Sequence, residues 1–335
     1  FLPAKFIDHT HSISLLAIAD QPNAESLCKE IFGNRVAIVP YVMPGFELAL
    51  LAANCFDKAN EEAKKSNIEL EGMILLKHGI FSFGDSAKQS YKRMIKLVKE
   101  SENFLTRKVN LGIKSNDKDN YFSDEYKIIP YIRGILANDA KVFGEPGNWV
   151  LDIRNNNNIE ELLNHKELIS IAKKGVATPD HVIRTKQKPL ILDFPKDLTN
   201  NDSINDWLKD TKVRFNAYKK SYEDYFKLNN KRFGNTKIQL DPLPRLILIP
   251  KIGLIGIGKN KKSAKIASDI GEAWIETLLS AESIGEFKPV NSEDTFDLEY
   301  WSLEQAKLNK KASHLLEGNI VAITGAGGVI GAAIA

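Results

Sequence analysis

The chain has 335 residues, 43% hydrophobic and 27% charged, a globular composition with length enough for two domains of ordinary size. Its 46 basic residues are nearly matched by 43 acidic ones, so the formal net charge of +3 carries no signature of a nucleic-acid or membrane partner. Two cysteines, Cys28 and Cys55, form no CxxC pair, which argues against a disulfide framework or a thiolate metal site; neither a bilayer-length apolar run nor a secretory-leader pattern occurs, and a cytoplasmic location is the expectation.

In chain order, residues 4–11 predict a strand whose period of two puts Ile7, His9 and His11 on one face and Phe6, Asp8 and Thr10 on the other. A short apolar helix is expected over 13–19, stopping near Pro22. Residues 35–41 (RVAIVPY) predict a buried strand, and a periodic helix follows Pro44-Gly45 over 46–65. Residues 72–77 (GMILLK) predict a second buried strand, ended by His78-Gly79. An amphipathic helix is expected over 85–105, with Met94, Leu97, Val98 and Leu105 on one stripe. These elements make a first unit over 1–105, and the polar Asn/Asp/Lys-rich stretch 106–124 predicts a linker. A second block is expected over 125–315, with a loop tip at the asparagine run 155–158 and a strand over Arg245–Pro250.

That late strand opens a concealed repeat. Residues 75–84 (LLKHGIFSFG) and 249–258 (IPKIGLIGIG) align at an offset of 174, matching Gly79 with Gly253, Ile80 with Leu254 and Gly84 with Gly258. Each copy predicts a strand, a short hairpin between glycines, and a long helix. Ile252 stands where the first copy has His78, so the second half is expected to be a degenerate relative of the first. Chance recurrence of a common strand–turn–helix pattern is the alternative.

His9 and His11 form an H-x-H pair. On a strand, residues i and i+2 point the same way, so both imidazoles reach one ion; on a helix they would diverge by about 200°. His78, at the end of the second buried strand, can project from a sheet end. Three neutral nitrogens with an open fourth position describe a catalytic Zn²⁺ site, where the metal polarises a carbonyl and stabilises an enediolate. Taken without context, the same histidines fit packed or solvated side chains equally well.

Two further stretches are dense in chemistry. In GVATPDHVIRTK at 175–186, Asp180, His181, Arg184 and Lys186 either converge on an anion or sugar, or belong to a loop that caps the second block with His181 satisfied by a backbone carbonyl. GLIGIGK at 253–259 lacks the spacing of a phosphate-binding P-loop and fits the hairpin instead. In GNIVAITGAGGVIGAAIA at 318–335, a strand over Ile320–Thr324 is expected to run into Gly325, Gly328 and Gly331 and then a small-residue helix. Glycines there allow a pyrophosphate to approach the helix N-terminus. A start at Phe1 and a stop at Ala335 inside an apolar pattern predict truncation at both ends.

In order and spacing, FLPAKFIDHTH at 1–11, IVPYVMPGFELA at 38–49 and ILLKHGIFSFG at 74–84 resemble the class II aldolase family. The resemblance implies an α/β (α/β/α) fold, a sheet flanked by helices, with His9, His11 and His78 as Zn²⁺ ligands. It implies that Tyr41 is a proton donor to the aldehyde oxygen in a neighbouring subunit's site, hence a homo-oligomer. The family's acid/base glutamate and its phosphate-binding residues precede the H-x-H pair and would lie before Phe1. Asp8, on the opposite strand face, is expected to be a supporting or structural carboxylate. The tail resembles the opening of a short-chain dehydrogenase/reductase, with Val329 at the middle glycine of that family's T-G-x-x-x-G-x-G; this implies that Gly325, Gly328 and Gly331 belong to an NAD or NADP site.

With TPDHVIRTK at 178–186 and EDTFDLEYWSLEQAKL at 293–308, the whole chain resembles the bifunctional rhamnulose-1-phosphate aldolase/alcohol (lactaldehyde) dehydrogenase family. That resemblance implies zinc-dependent cleavage of a ketose 1-phosphate to dihydroxyacetone phosphate and lactaldehyde, fused to a nicotinamide-dependent dehydrogenase whose Rossmann fold only begins here. A sugar-phosphate epimerase or dehydratase on the same fold, and an inactive piece short of its glutamate, are the alternative readings.

Overall fold

Two four-stranded sheets with the same strand order and directions carry the chain. The computed structural model describes residues 2–108, 124–143, 147–308, 318–319 and 321–335. The first half runs β1 (Phe6–Thr10), α1 (Ile13–Ala19), α2 (Ala24–Phe32), β2 (Val36–Val39), α3 (Phe46–Lys65), β3 (Gly72–Leu75), β4 (Gly79–Gly84) and α4 (Ala87–Lys108). The second runs α5 (Ile129–Val142), β5 (Val150–Arg154), α6 (Asn157–Leu163), α7 (Leu168–Ala172), α8 (Val182–Thr185), β6 (Leu190–Ile191), α9 (Asn201–Asn230), β7 (Leu246–Ile249), β8 (Gly253–Gly258), α10 (Lys261–Ile284), α11 (Ser292–Glu299) and α12 (Ser302–Ala306). A six-residue helix, α13 (Val329–Ile334), follows.

The sheets are ordered β1-β4-β3-β2 and β5-β8-β7-β6. In each, the first two contacts are antiparallel and the third is parallel. The offset of 174 carries β3 onto β7 and β4 onto β8 residue for residue. It also carries the turn between them. His78 N–H donates to Leu75 O at 3.1 Å, and Ile252 N–H to Ile249 O at 3.2 Å. The residue before each donor, Lys77 and Lys251, is left-handed, with φ of 60° and 70°. Left-handed lysines are uncommon, so their recurrence at one place in both hairpins argues for shared architecture over coincidence.

Alternation along the inner strands sorts the core into layers. Ile74 and Ile80 of the first sheet and Leu246, Leu248 and Leu254 of the second face one continuous core, filled by α1, α4 and α10. Met73 and Leu75 turn the other way, onto Leu48, Phe56 and Ala63 of α3. Ile247, Ile249, Ile255 and Ile257 likewise turn onto α5 and α9. Strands covered on both faces read as unbroken apolar runs, which is why GMIL and LILI lack polar alternation. The G-x-G of β8 serves this packing: a Cβ at Gly258 would lie 2.2 Å from Ala264 N at the start of α10.

Several expectations are corrected. Helix α2 was not predicted, though Ala24, Cys28 and Phe32 are buried at four-residue spacing. The linker expected over 106–124 begins inside α4, and its residues 109–123 lie outside the described residues. The asparagine run is a helix start rather than a loop tip: Asn156 caps α6, accepting from Ile159 N–H at 3.0 Å. Of the strand expected over Ile320–Thr324, Ile320 lies outside the described residues, and Val321–Ile323 pair with no strand among them. A strand needs a neighbour to satisfy its backbone, and among the described residues no strand lies beside this segment. The tail is tied at Gly318, whose carbonyl accepts from Arg133 at 3.2 Å, while Val321, Val329, Ile330 and Ile334 are exposed.

Candidate metal centre

The H-x-H pair sits where an edge strand leaves its sheet. Among the described strands β1 pairs only with β4, and His9 lies opposite Phe81, on which its ring stacks at 4.1 Å between centroids. His11 follows one residue past the end of β1 and keeps the same direction. The turn after β3 carries His78, so the end of one strand and the start of the next hairpin bring all three rings together. One ligand nitrogen from each of His9, His11 and His78 lies within 4.8 Å of the others.

The ring orientations are set by their surroundings. His9 Nδ1 lies 2.9 Å from Ile80 O. A carbonyl oxygen only accepts, so Nδ1 is the donor there and Nε2 is left to face the other rings. His9 Nε2 is 3.0 Å from His11 Nε2. Burial drives the His11 pKa down to about 3, against the opposing pull of Asp180, and burial lowers that of His78 in the same way. Both rings are therefore neutral at ordinary pH, the form that binds metal. Convergent imidazole nitrogens, one ring oriented by a backbone carbonyl, are a donor set suited to Zn²⁺ or a similar divalent ion.

The side chain that sequence reasoning did not attach to the histidines is Asp180. It comes from a single 3-10 turn, Pro179–His181, in the second half. Its Oδ2 lies 3.4 Å from His78 Nε2 and 3.5 Å from His11 Nε2, and its Oδ1 lies 3.7 Å from Lys307 Nζ. Just before it, Thr178 Oγ1 donates to His78 O at 3.2 Å, joining this turn to the one that carries the third histidine. Tyr41 lies between β2 and α3, and its buried hydroxyl has no hydrogen-bond partner among the described residues. Burial first, then the charges of Asp294 and Asp180, raise its pKa, so the phenol stays protonated.

The rest of the 175–186 segment does not converge on one ligand. Arg184 donates to Lys307 O at 3.0 Å. His181 is kept neutral by burial, which lowers its pKa to about 4; its buried Nδ1 has no partner among the described residues, so the expected backbone carbonyl is not there. Lys186 turns into the interior, 2.9 Å from Tyr222 Oη and 3.5 Å from Glu299 Oε1. Gly325, Gly328 and Gly331 form a small turn of their own, far along the chain from the histidines: Gly328 N–H donates to Gly325 O at 2.9 Å, and a Cβ at Gly331 would lie 2.3 Å from Gly325 O. Asp8 lies on exposed β1 opposite Ser82.

Comparison with known proteins agrees with this architecture. Residues 123–308 match the family described as Aldolase class II, second domain, and residues 1–104 match the Class II Aldolase and Adducin N-terminal domain. The chain belongs to the class II aldolase family. A curated relative, the uncharacterized oxidoreductase YuxG of Bacillus subtilis (strain 168), is 28% identical over 341 residues, covering 99% of this chain and 46% of the relative. This class II aldolase chain thus spans about half the length of that relative. The N-terminal class II aldolase domain of a conserved protein from Thermoplasma acidophilum is 38% identical over 31% of this chain and 44% of its own, with a TM-score of 0.27. Among the described residues, no helix is long and apolar enough to cross a membrane.

Proposed function

We propose that this chain is the aldolase portion of a zinc-dependent lyase that cleaves a ketose 1-phosphate of the rhamnulose 1-phosphate type into dihydroxyacetone phosphate and lactaldehyde. The observation that carries the reading is the convergence of His9, His11 and His78, their ligand atoms within 4.8 Å, in a class II aldolase. Those three imidazoles would hold Zn²⁺, which as a Lewis acid polarises a ketose carbonyl and lowers the cost of the charge that builds as the carbon–carbon bond breaks.

The chain's own residues prepare that chemistry. Phe81 and Ile80 O fix the ring of His9, and burial keeps His11 and His78 unprotonated. The Tyr41 hydroxyl, held protonated, is a proton donor for an aldehyde oxygen, in its own site or in a neighbouring subunit's site within a homo-oligomer. Residues 1–105 supply the histidines, and the block over 125–315 is a second, degenerate aldolase-like unit. Residues 316–335 begin a short-chain dehydrogenase whose Gly325, Gly328 and Gly331 serve NAD or NADP in a longer, cytoplasmic parent protein. The oxidoreductase name and greater length of the Bacillus relative support that fusion.

The purified chain is expected to hold about one Zn²⁺, which the variant with all three histidines replaced by alanine loses. Metal analysis of both proteins, with an assay for dihydroxyacetone phosphate released from rhamnulose 1-phosphate by the full-length parent, tests the reading. Equal zinc content in the two proteins would sink it.

A further inference from the structure

We propose that Asp180 is a carboxylate ligand of the metal beside His9, His11 and His78, the metal taking a fifth ligand when a substrate oxygen binds, so that the half without these histidines completes the site of the half which carries them. The inference rests on the reading of His9, His11 and His78 as metal ligands and adds a residue that neither the H-x-H motif nor the His-Gly motif contains.

Distances make the first argument. A charge-assisted hydrogen bond between imidazole and carboxylate is short, about 2.7–2.9 Å. Asp180 Oδ2 instead stands 3.4 Å and 3.5 Å from the Nε2 atoms of His78 and His11. With Zn–N near 2.0–2.1 Å and Zn–O near 2.0–2.2 Å, the edge of a coordination tetrahedron is about 3.3–3.5 Å. Asp180 Oδ2 keeps that separation from two of the three histidines, His11 and His78, and it is longer than that of a carboxylate bonded to a ring.

Which nitrogen it faces makes the second. A carboxylate that merely orients a ligating histidine bonds the ring nitrogen pointing away from the metal. On His9 that nitrogen, Nδ1, is taken by Ile80 O. Asp180 faces the Nε2 atoms, the side on which His9 and His11 also approach each other.

Placement makes the third. The Thr178–His78 hydrogen bond ties the turn carrying the aspartate to the turn carrying the third histidine. Lys307 lies near Oδ1, leaving Oδ2 toward the histidines. Strand register shows why the second half gives a carboxylate and no site of its own. His9 lies opposite Phe81 and Ile153 opposite Ile255, and these pairs correspond across the repeat. The counterparts of His9, His11 and His78 are therefore Ile153, Asn155 and Ile252. The second half keeps the hairpin but has no imidazole there.

The test is titration of the metal-free full chain with Co²⁺ and Zn²⁺ alone, reading the visible absorption of bound Co²⁺ and the affinity by chelator competition. Asp180→Asn, nearly isosteric, is expected to weaken both metals at least tenfold and to change the Co²⁺ spectrum as an oxygen ligand is lost. Asp180→Ala should do the same, and added acetate should move its spectrum back toward that of the parent, a rescue that a purely structural role would not give. An unchanged Co²⁺ spectrum and unchanged affinity in either variant, beside a wild type that binds and a triple-histidine variant that does not, overturns the role of Asp180 alone. A wild type that binds neither metal overturns the three-histidine reading and this inference with it.

Discussion

Gly79 opens β4 directly beneath the histidine pair, and Gly79→Ala is the most direct probe of how the site is held. A Cβ built there would lie 2.7 Å from His11 Cδ2, 2.7 Å from Thr10 O and 3.0 Å from the Cε1 of His9. Carbon atoms rest at about 3.5–4.0 Å, so the His11 ring must retreat by roughly 0.8 Å. Thr10 O belongs to the strand that pairs with β4 through Thr10 and Ile80, and it cannot give way without loosening that edge. Overpacking of this kind costs about 1–3 kcal/mol, a loss of a few degrees in Tm for a chain of this size. A metal site tolerates displacements of only about 0.5 Å, so zinc affinity should fall at least tenfold, or about 1.4 kcal/mol. Chelator competition and thermal unfolding measure the two effects. The control is Gly253→Ala in the second half, where φ is +115° and a Cβ would lie 2.2 Å from Arg154 O. That variant should lose stability without lowering the zinc affinity of the folded protein. Wild-type zinc affinity in Gly79→Ala would refute the close packing of the imidazoles on Gly79.

Two further perturbations probe the buried charges of the second half. Burial alone would raise the Asp241 pKa, but Arg245, bonded at 2.5 Å, and Lys186 outweigh it and hold the carboxyl at about 2, below the ordinary 3.8. A depressed carboxyl pKa contributes stability above the unfolded value, and that stability is lost as pH falls through the folded one, here from 3.8 toward about 2. Asp241→Asn should therefore cost about 2 kcal/mol at neutral pH and flatten the acid limb of urea-unfolding curves; an acid limb as steep as that of the wild type would contradict the pairing. Glu299, fully buried, accepts from Tyr222 at 2.7 Å and Tyr225 at 3.1 Å while facing Lys186 at 3.5 Å. Glu299→Gln should destabilise by about 3 kcal/mol, and adding Lys186→Met should recover part of that, because removing one partner leaves the other charge buried; strictly additive losses would argue against the pair.

How far the sequence carries differs between the halves. Helices α1 and α3 have the predicted limits, because apolar residues at helical spacing lie between plain stops at Pro22 and Pro44-Gly45. The H-x-H spacing foretells two imidazoles on one strand face, and the 174-residue offset foretells β7, β8 and α10. The stretch 201–230 carried a signal that was passed over. Its 30-residue helix α9 is rich in Lys, Asp and Asn, yet its buried positions Trp207, Thr211, Phe215, Tyr222 and Phe226 are spaced by four and seven, a stripe on one helix face. Asp180, by contrast, was beyond reach. Nothing local to TPDH says that it faces residues about 100 and 170 positions earlier, a fact set by how the two halves pack. Alternation assigned Asp8 to the opposite strand face from the histidines; the carboxylate beside the rings comes from another half of the chain.

The packing of the two halves also bears on where the histidines stand. His11 leads through Ser12 directly into α1, so the position of that helix fixes where the second imidazole stands. Leu15, Leu16, Ala17, Ile18 and Ala19 are all buried, and a helix apolar all round is stable only when enclosed. Seven residues are too few to hold a helix without such packing. The enclosure is shared: α10 of the second half packs on α1, and Trp274, Ile275, Leu278 and Ala281 join Leu15, Leu16 and Ile18 in one core. Gln21 strengthens the joint from α1's end, donating to Ala281 O at 2.8 Å and accepting from Glu286 N–H at 2.9 Å. The second half therefore reaches the three histidines twice, by packing on the helix that follows His11 and by placing Asp180 beside the rings. Neither contact uses Ile153, Asn155 or Ile252, which stand where the first half has histidines: one depends on buried residues of α10 and the other on a turn outside the repeated hairpin.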